Sequence, residues 1–199
     1  MAQLFTLRNW GAQVANSRHG RAGAFTIIEL IVVISIILVL AGLVLATSSY
    51  VHNKGARSRA EAEIAAFSAA LENYKADNGV YPSNGDTAAL DARHDFNPSE
   101  TPLPNKYTKG SLWVYKQLSG DLNGDRAVEA SSYFSFKDNQ LSPATGTVAY
   151  IKDPFGNSYG YSTAGQAGTS GIGYNPTFDL WSTAGQTTSP GQSQWVKNW

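Results

Sequence analysis

From Phe25 to Ala46 the chain is apolar at almost every position, and Glu29 is the single charge in the run. At 1.5 Å of rise per residue, the stretch 27–46 makes a helix about 30 Å long, which matches the hydrocarbon core of a bilayer. The apolar core of a secretory signal is shorter, roughly 7–15 residues. The pattern therefore predicts a helix retained in the membrane. Beyond it the pattern changes. Ala60, Ile64, Phe67, Leu71 and Tyr74 follow one another at steps of four, three, four and three, a single apolar stripe, while Arg57, Arg59, Glu61, Glu63, Glu72, Lys75 and Asp77 mostly take the other faces. Asn78-Gly79 supplies a stop and Pro82 forbids continuation, so one long helix is expected over 25–78. Its two halves need different surroundings. The first, apolar all round, suits lipid or the core of a filament, and the second needs something to cover its stripe.

From Gly79 onward Gly, Pro, Ser, Thr, Asn and aromatic residues rise, the punctuation of short strands and long loops. The expected fold class is α+β: the long N-terminal helix packed on a small antiparallel sheet head with long loops. In domains, this gives a leader over 1–24, the helix over 25–78 with its membrane part at 25–48, and a loop-rich head over 79–199 completed by the second half of the helix. Within the head, Asp77-Asn78-Gly79-Val80-Tyr81-Pro82 reads as a turn from which Tyr81 packs back on the helix. Ser111–Leu118 fits a short helix or a strand, since its periodicity decides neither. Tyr159 and Tyr161, two apart after the Pro154/Gly156 turn, place two rings on one face of a strand. Trp195 and Trp199 are expected either to cover the edge of the sheet or to meet another subunit.

Charge and composition narrow the function. Lys+Arg and Asp+Glu both number 15, so the chain lacks the basic footprint of a nucleic-acid binder. Cysteine is absent, which removes thiol catalysis, Cys-ligated zinc and disulfides. His19, His52 and His94 lie apart with no nucleophile or metal-ligand spacing around them, so no enzyme is expected. Arg8, Arg18, His19 and Arg21 precede the apolar run with no acidic residue among 1–24, which favours a cytoplasmic N-terminus; His52, Lys54, Arg57 and Arg59 after the run pull the other way. A carboxylate inside an apolar helix costs about 2.5–3.5 kcal/mol on insertion scales. Glu29 thus either sits near the interface, or pairs with a positive charge at its depth, such as an α-amino group freed in front of Phe25, one turn away. Gly42, Ala41, Ala46, Ser48 and Ser49 are small enough to allow close helix approach, and equally ordinary for a membrane helix.

The segment Gly23-Ala24-Phe25-Thr26-Ile27-Ile28-Glu29-Leu30-Ile31-Val32-Val33-Ile34 resembles the leader junction of type IV pilins and type II secretion pseudopilins. The resemblance implies cleavage in front of Phe25 by a prepilin peptidase, methylation of the new amine, and an assembly role for Phe25 and Glu29. The family usually has Gly directly before the Phe, whereas Gly23 is here followed by Ala24. Cleavage after Ala24 keeps the Phe25-to-Glu29 spacing; cleavage after Gly23 would turn the carboxylate by about 100° relative to the amine. The NGVYP stretch at 78–82, Asp153-Pro154-Phe155-Gly156-Asn157-Ser158-Tyr159-Gly160-Tyr161 with Phe155 in place of the usual Trp, and Phe178–Ser182 resemble segments of the major pseudopilin. The likeness covers 21–82 and 150–182.

What the resemblance implies is a structural subunit made in the inner membrane, with the N-terminus cytoplasmic and the head periplasmic, that polymerises into a helical homo-oligomeric pseudopilus serving type II secretion. Its implied partners are copies of itself, other pseudopilins, inner-membrane assembly proteins, the prepilin peptidase and, before assembly, the membrane; nucleic acid is not among them. A type IV pilus subunit, a minor pseudopilin and a membrane-anchored periplasmic binding module are the alternatives. The family's major pseudopilin typically carries a calcium loop after the strand at 178–182. Here no Asp or Glu follows Asp179, so calcium is expected to be lost there. A second calcium candidate is Asp121, Asn123, Asp125 and Glu129, at positions one, three, five and nine of an EF-hand-like loop. Arg126 stands where such loops want Gly, and Ser132 where they want Glu, so a polar turn is the competing reading. No other cofactor is expected.

Overall fold

The computed structural model describes residues 25–169 and 171–199. The expected leader, with Gly23 and Ala24, lies outside the described residues, as do the side chains of Ala46, Ser48 and Ser49. The chain divides after Ala46 into two compact units.

In the first unit lies the start of α1, a helix over Ile27–Asn78. Its large apolar side chains from Ile27 to Leu45 are all exposed, from 47% at Val33 to 79% at Ile27. The helix is long and apolar enough to cross a membrane. A methyl group on Gly42 would meet nothing within 4 Å, so Gly42 is not held small by the chain's own packing.

In the second unit α1 is amphipathic. Ala60, Ile64, Phe67, Ala70 and Leu71 are buried, which is the expected stripe, and Glu63 is buried with them. The helix stops where Gly79 takes φ +79 and donates its N–H to the Lys75 carbonyl at 2.8 Å. Tyr81 then turns back: its hydroxyl donates to Glu72 at 2.8 Å and its ring meets Phe178 at 4.8 Å.

The elements that follow are α2 (Gly85–Ala89), α3 (Lys106–Ser119), β1 (Leu141–Ser142), β2 (Tyr150–Ile151), β3 (Gly160–Ser162), β4 (Asp179–Ser182) and β5 (Val196–Lys197). The ambiguous stretch 111–118 is helical, as part of α3. Asn105 caps its start by accepting from the Thr108 N–H at 3.0 Å. Gly120, at φ +75, ends it, and Tyr107, Ser111, Val114, Tyr115 and Leu118 form its buried face. The expected sheet is two small ones. β1 pairs with β2, and β3, β4 and β5 form an antiparallel sheet in that order.

α3 packs on β2 and β3, and one core joins it to the α1 stripe through Tyr159, Tyr161, Leu180 and Val196. Phe67 sits at the centre, its ring 5.0, 5.4 and 5.5 Å from those of Phe134, Phe136 and Tyr159. A second core gathers Leu90, Tyr107, Trp181 and Trp195. Trp195 is buried and stacks on Trp181 at 6.0 Å, and β5 behind it closes the edge of β4. The edge-covering reading of Trp195 is therefore the one realised. Trp199, half-buried, stacks on Tyr174 at 4.7 Å.

Candidate functional site: the helix start and the two loops

Among the residues expected to matter for processing and assembly, Phe25 and Glu29 are described. Phe25 is 83% exposed. Glu29 is held by its own helix: its carboxylate accepts from the Thr26 N–H and the Thr26 hydroxyl, both at 2.8 Å. The Thr26 hydroxyl in turn accepts from the Glu29 N–H at 3.2 Å. This is a capping box in which Thr26 is the cap and Glu29 the third helical residue. The arrangement satisfies donors that a helix start otherwise leaves without partners, and it fixes the carboxylate within one turn of Phe25. Thr26 is a residue the reading by charge overlooks; the Thr-x-x-Glu spacing is the signal that finds it.

The second group lies between α3 and β1. Asn123 Nδ2 donates to Asp125 at 3.1 Å and to Glu129 at 2.8 Å, so these three side chains come together. Asp121 turns inward instead. Its carboxylate accepts from the Gly124 N–H at 2.6 Å, the Arg126 N–H at 2.8 Å and the Tyr115 hydroxyl at 2.7 Å. Burial alone would push the Asp121 carboxyl up, but these bonds, with the Tyr115 hydroxyl first, hold it below its ordinary value. The Tyr115 hydroxyl is pushed up to about 12, by burial first and then by Asp121. Arg126, at φ +77, takes the left-handed conformation for which Gly is the usual choice. No group of three or more His, Cys, Asp or Glu side chains among the described residues converges as a metal site.

The third place is the β4–β5 connection at 183–195, where the resemblance implies a calcium loop. Asp179, at its head, is buried and both its oxygens are in use, Oδ2 accepting from the Tyr174 N–H at 2.7 Å and Oδ1 from the Asn175 N–H at 2.8 Å. Several of the loop's carbonyls also have partners. Gln186 accepts from Trp195 Nε1 at 3.0 Å, Thr183 from the Gln186 N–H at 2.8 Å, and Gln194 and Trp195 from Arg57. A hard cation wants six to eight oxygen ligands with charge among them, and this donor set does not fit one.

The turn at 153–157 shows how the resembling segment works. Asp153, buried, accepts from the Phe155 and Asn157 N–H groups at 3.0 and 2.8 Å and from the Ser182 hydroxyl. Gly156 closes the turn at φ +93. Burial pushes the Asp153 carboxyl above its ordinary value, opposed by these bonds and reinforced by Glu63 of α1. Next to it, the Tyr159 hydroxyl donates to Glu63 at 2.8 Å, and Arg59 holds the other Glu63 oxygen at 2.9 Å.

A long N-terminal helix with an apolar opening and one carboxylate, continuing as an amphipathic half capped by a small antiparallel head, is the pilin-like α+β architecture. Over 90 residues, 45% of its length, the chain is 36% identical to the type II secretion system core protein G of Aeromonas hydrophila. The chain spans 61% of that relative's length. No protein-family model matches the chain, and no solved structure does.

Proposed function

We propose that this chain is a structural subunit, a pseudopilin, whose precursor is cut in front of Phe25 and whose trimmed form assembles into a periplasmic filament serving type II secretion. The observation that carries the reading is the state of α1 before the head: an apolar surface left exposed over 27–45, in which Glu29 is the single charge. Such a surface needs lipid before assembly and other helices after it. The likeness to a type II secretion core protein supports the same reading.

On this reading the inner membrane holds the subunit with its N-terminus cytoplasmic and its head periplasmic. A prepilin peptidase frees and methylates the Phe25 amine. Glu29 then offers its carboxylate to the amine of a neighbouring copy, with Thr26 as the group it must partly release. Other pseudopilins and inner-membrane assembly proteins are the remaining partners, and the role is structural rather than catalytic.

The test is mass spectrometry of the N-terminus of membrane-extracted protein, expressed with and without a prepilin peptidase. A peptidase-dependent start at N-methylated Phe25 is expected. An intact N-terminus, or a cut beyond the apolar run, would defeat the proposal.

A further inference from the structure

The two loops that sequence likeness and motif spacing offer to calcium share a feature that neither acidic count nor spacing reveals. Each is tied by an arginine to a segment distant in sequence or beyond the loop itself. In the β4–β5 loop, the Arg57 guanidinium on α1 donates to the carbonyl of Gln194 and, at 3.4 Å, to that of Trp195, across 137 and 138 residues of sequence. Two consecutive carbonyls turned toward one positive group is what a bound cation would require of a loop, and here the cation is part of the chain. The loop's other fixings agree. Trp195 is buried against Trp181 and anchors the end of the loop, and Gln192 Nε2 donates to the Ala92 carbonyl.

Arg126, in the loop after α3, makes a comparable set of bonds. Its Nη2 donates to the Pro143 carbonyl at 2.7 Å, its Nε to the Gly146 carbonyl at 2.9 Å, and its Nη1 to the Asp138 carboxylate at 2.9 Å. Two carbonyls and a carboxylate thus surround one planar group, whose fixed fork of donors suits several acceptors at once. Arg126 makes these bonds from a left-handed φ, at the position where the motif wants Gly.

We propose that Arg57 and Arg126 are built-in cation clamps, one ordering the loop 183–195 and the other tying the loop after α3 to the segment around β1 over 121–146, without a metal. The clamps are independent of filament assembly, so the proposal stands or falls apart from the pseudopilin reading. Its physical content is a change in what the loop's order responds to. A metal-held loop loosens when the ion is chelated; an arginine-held loop ignores chelation and depends on the guanidinium.

Limited proteolysis of the full chain in detergent reads this directly, because Thr187–Pro190, Ser193 and Gln194 are exposed and lie within the clamped loop. In the unaltered protein, cleavage within 183–194 and within 121–146 should be the same in excess calcium and in excess EGTA. Arg57→Gln should speed cleavage within 183–194 by about ten-fold and leave 121–146 unchanged, and Arg126→Gln should do the reverse. Arg57→Lys, keeping the charge with fewer fixed donors, should fall between. Each variant reports on the other loop, so a general failure to fold would appear as loss of protection in both; Arg57→Lys then supplies the reading. A loop that loosens in EGTA, or an Arg57→Gln loop cut at the original rate, or a lysine variant indistinguishable from the glutamine one in a folded protein, would overturn the clamps.

Discussion

The two halves of α1 are one helix in sequence and two solutions to burial. From Ile27 to Leu45 every large apolar side chain is exposed, whereas from Ala60 to Leu71 the apolar stripe is almost wholly removed from solvent. The first half carries its apolar residues all round, so no single packed partner could cover it. The second half carries them on one face, and aromatic residues from distant segments fill that face: Tyr133 meets Tyr74, and Phe134, Phe136 and Tyr159 ring Phe67. Pattern, not mean apolarity, decides which half belongs to the head.

The largest effect that would break this comparison is at Phe67. Phe67→Ala removes a ring with three aromatic neighbours and is expected to destabilise the head by about 3–5 kcal/mol. Val33→Ala, in the first half and 47% exposed, should change the stability of the head by less than about 0.5 kcal/mol. Urea unfolding in detergent, followed by tryptophan fluorescence, reads both because Trp181 and Trp195 are in the head. Comparable losses from the two substitutions would mean that the halves are not separate in their energetics.

The next effect tests the sheet that covers the stripe. Gly160 on β3 lies opposite Trp181 on β4, and a methyl group there would run into the indole ring. Gly160→Ala should cost about 1–3 kcal/mol by overpacking and shift the near-ultraviolet circular dichroism of Trp181. Gly79→Ala has open space around it but a left-handed φ, so its loss should be of the smaller size that backbone strain alone sets, about 1 kcal/mol. A Gly160→Ala protein with the unaltered melting curve would show that the β3–β4 contact yields more easily than its geometry states.

Much of this was legible beforehand, and the reasons differ by residue. The stop at Gly79 and the stripe from Ala60 to Leu71 are local patterns, so periodicity and turn chemistry reach them. The capping box at Thr26 was present as a spacing, though the eye goes to the charge of Glu29. For α3, residues 111–118 alone alternate too irregularly to choose between helix and strand, and the caps Asn105 and Gly120 lie outside that stretch. What no local pattern contains is the pairing of groups far apart in sequence. Arg57 with the carbonyl of Gln194, Trp181 over Gly160, and Asp153 with Ser182 depend on how the segments meet. The expected single sheet is realised as two, β1–β2 and β3–β4–β5, which also depends on how distant strands pair.

A smaller effect concerns proton binding beside the stripe. The Tyr115 hydroxyl, packed in the same core as Leu71, is raised to about 12 while an unfolded tyrosine ionises near 10. A folded-state value above the unfolded one means that its contribution is whole below pH 10 and is lost as pH rises from about 10 to about 12. The loss should approach about 1 kcal/mol per pH unit, and Tyr115→Phe should remove that part of the slope in alkaline urea titrations. An unchanged slope would place the alkaline sensitivity elsewhere.

The smallest effect has opposite signs at two buried carboxyls. Asp153 is raised, so the folded protein takes up its proton before the unfolded one does, and this group favours folding as pH falls through its folded value toward the ordinary carboxylate range. Asp121 is lowered, so its stabilisation is present above the unfolded value and is lost as pH falls through the folded one. Asp153→Asn keeps an acceptor for the Phe155 and Asn157 N–H groups and an amide for Ser182, so melting temperatures against pH should move in favour of the unaltered protein on acidification. Asp121→Asn should show the reverse, at lower pH. Because Glu63 of α1 helps to raise Asp153, Glu63→Gln should shrink the first effect and leave the second untouched. If Glu63→Gln alters both equally, the stripe does not end in a private contact between α1 and the turn at Asp153, and the covered half of the helix answers to the head as a whole.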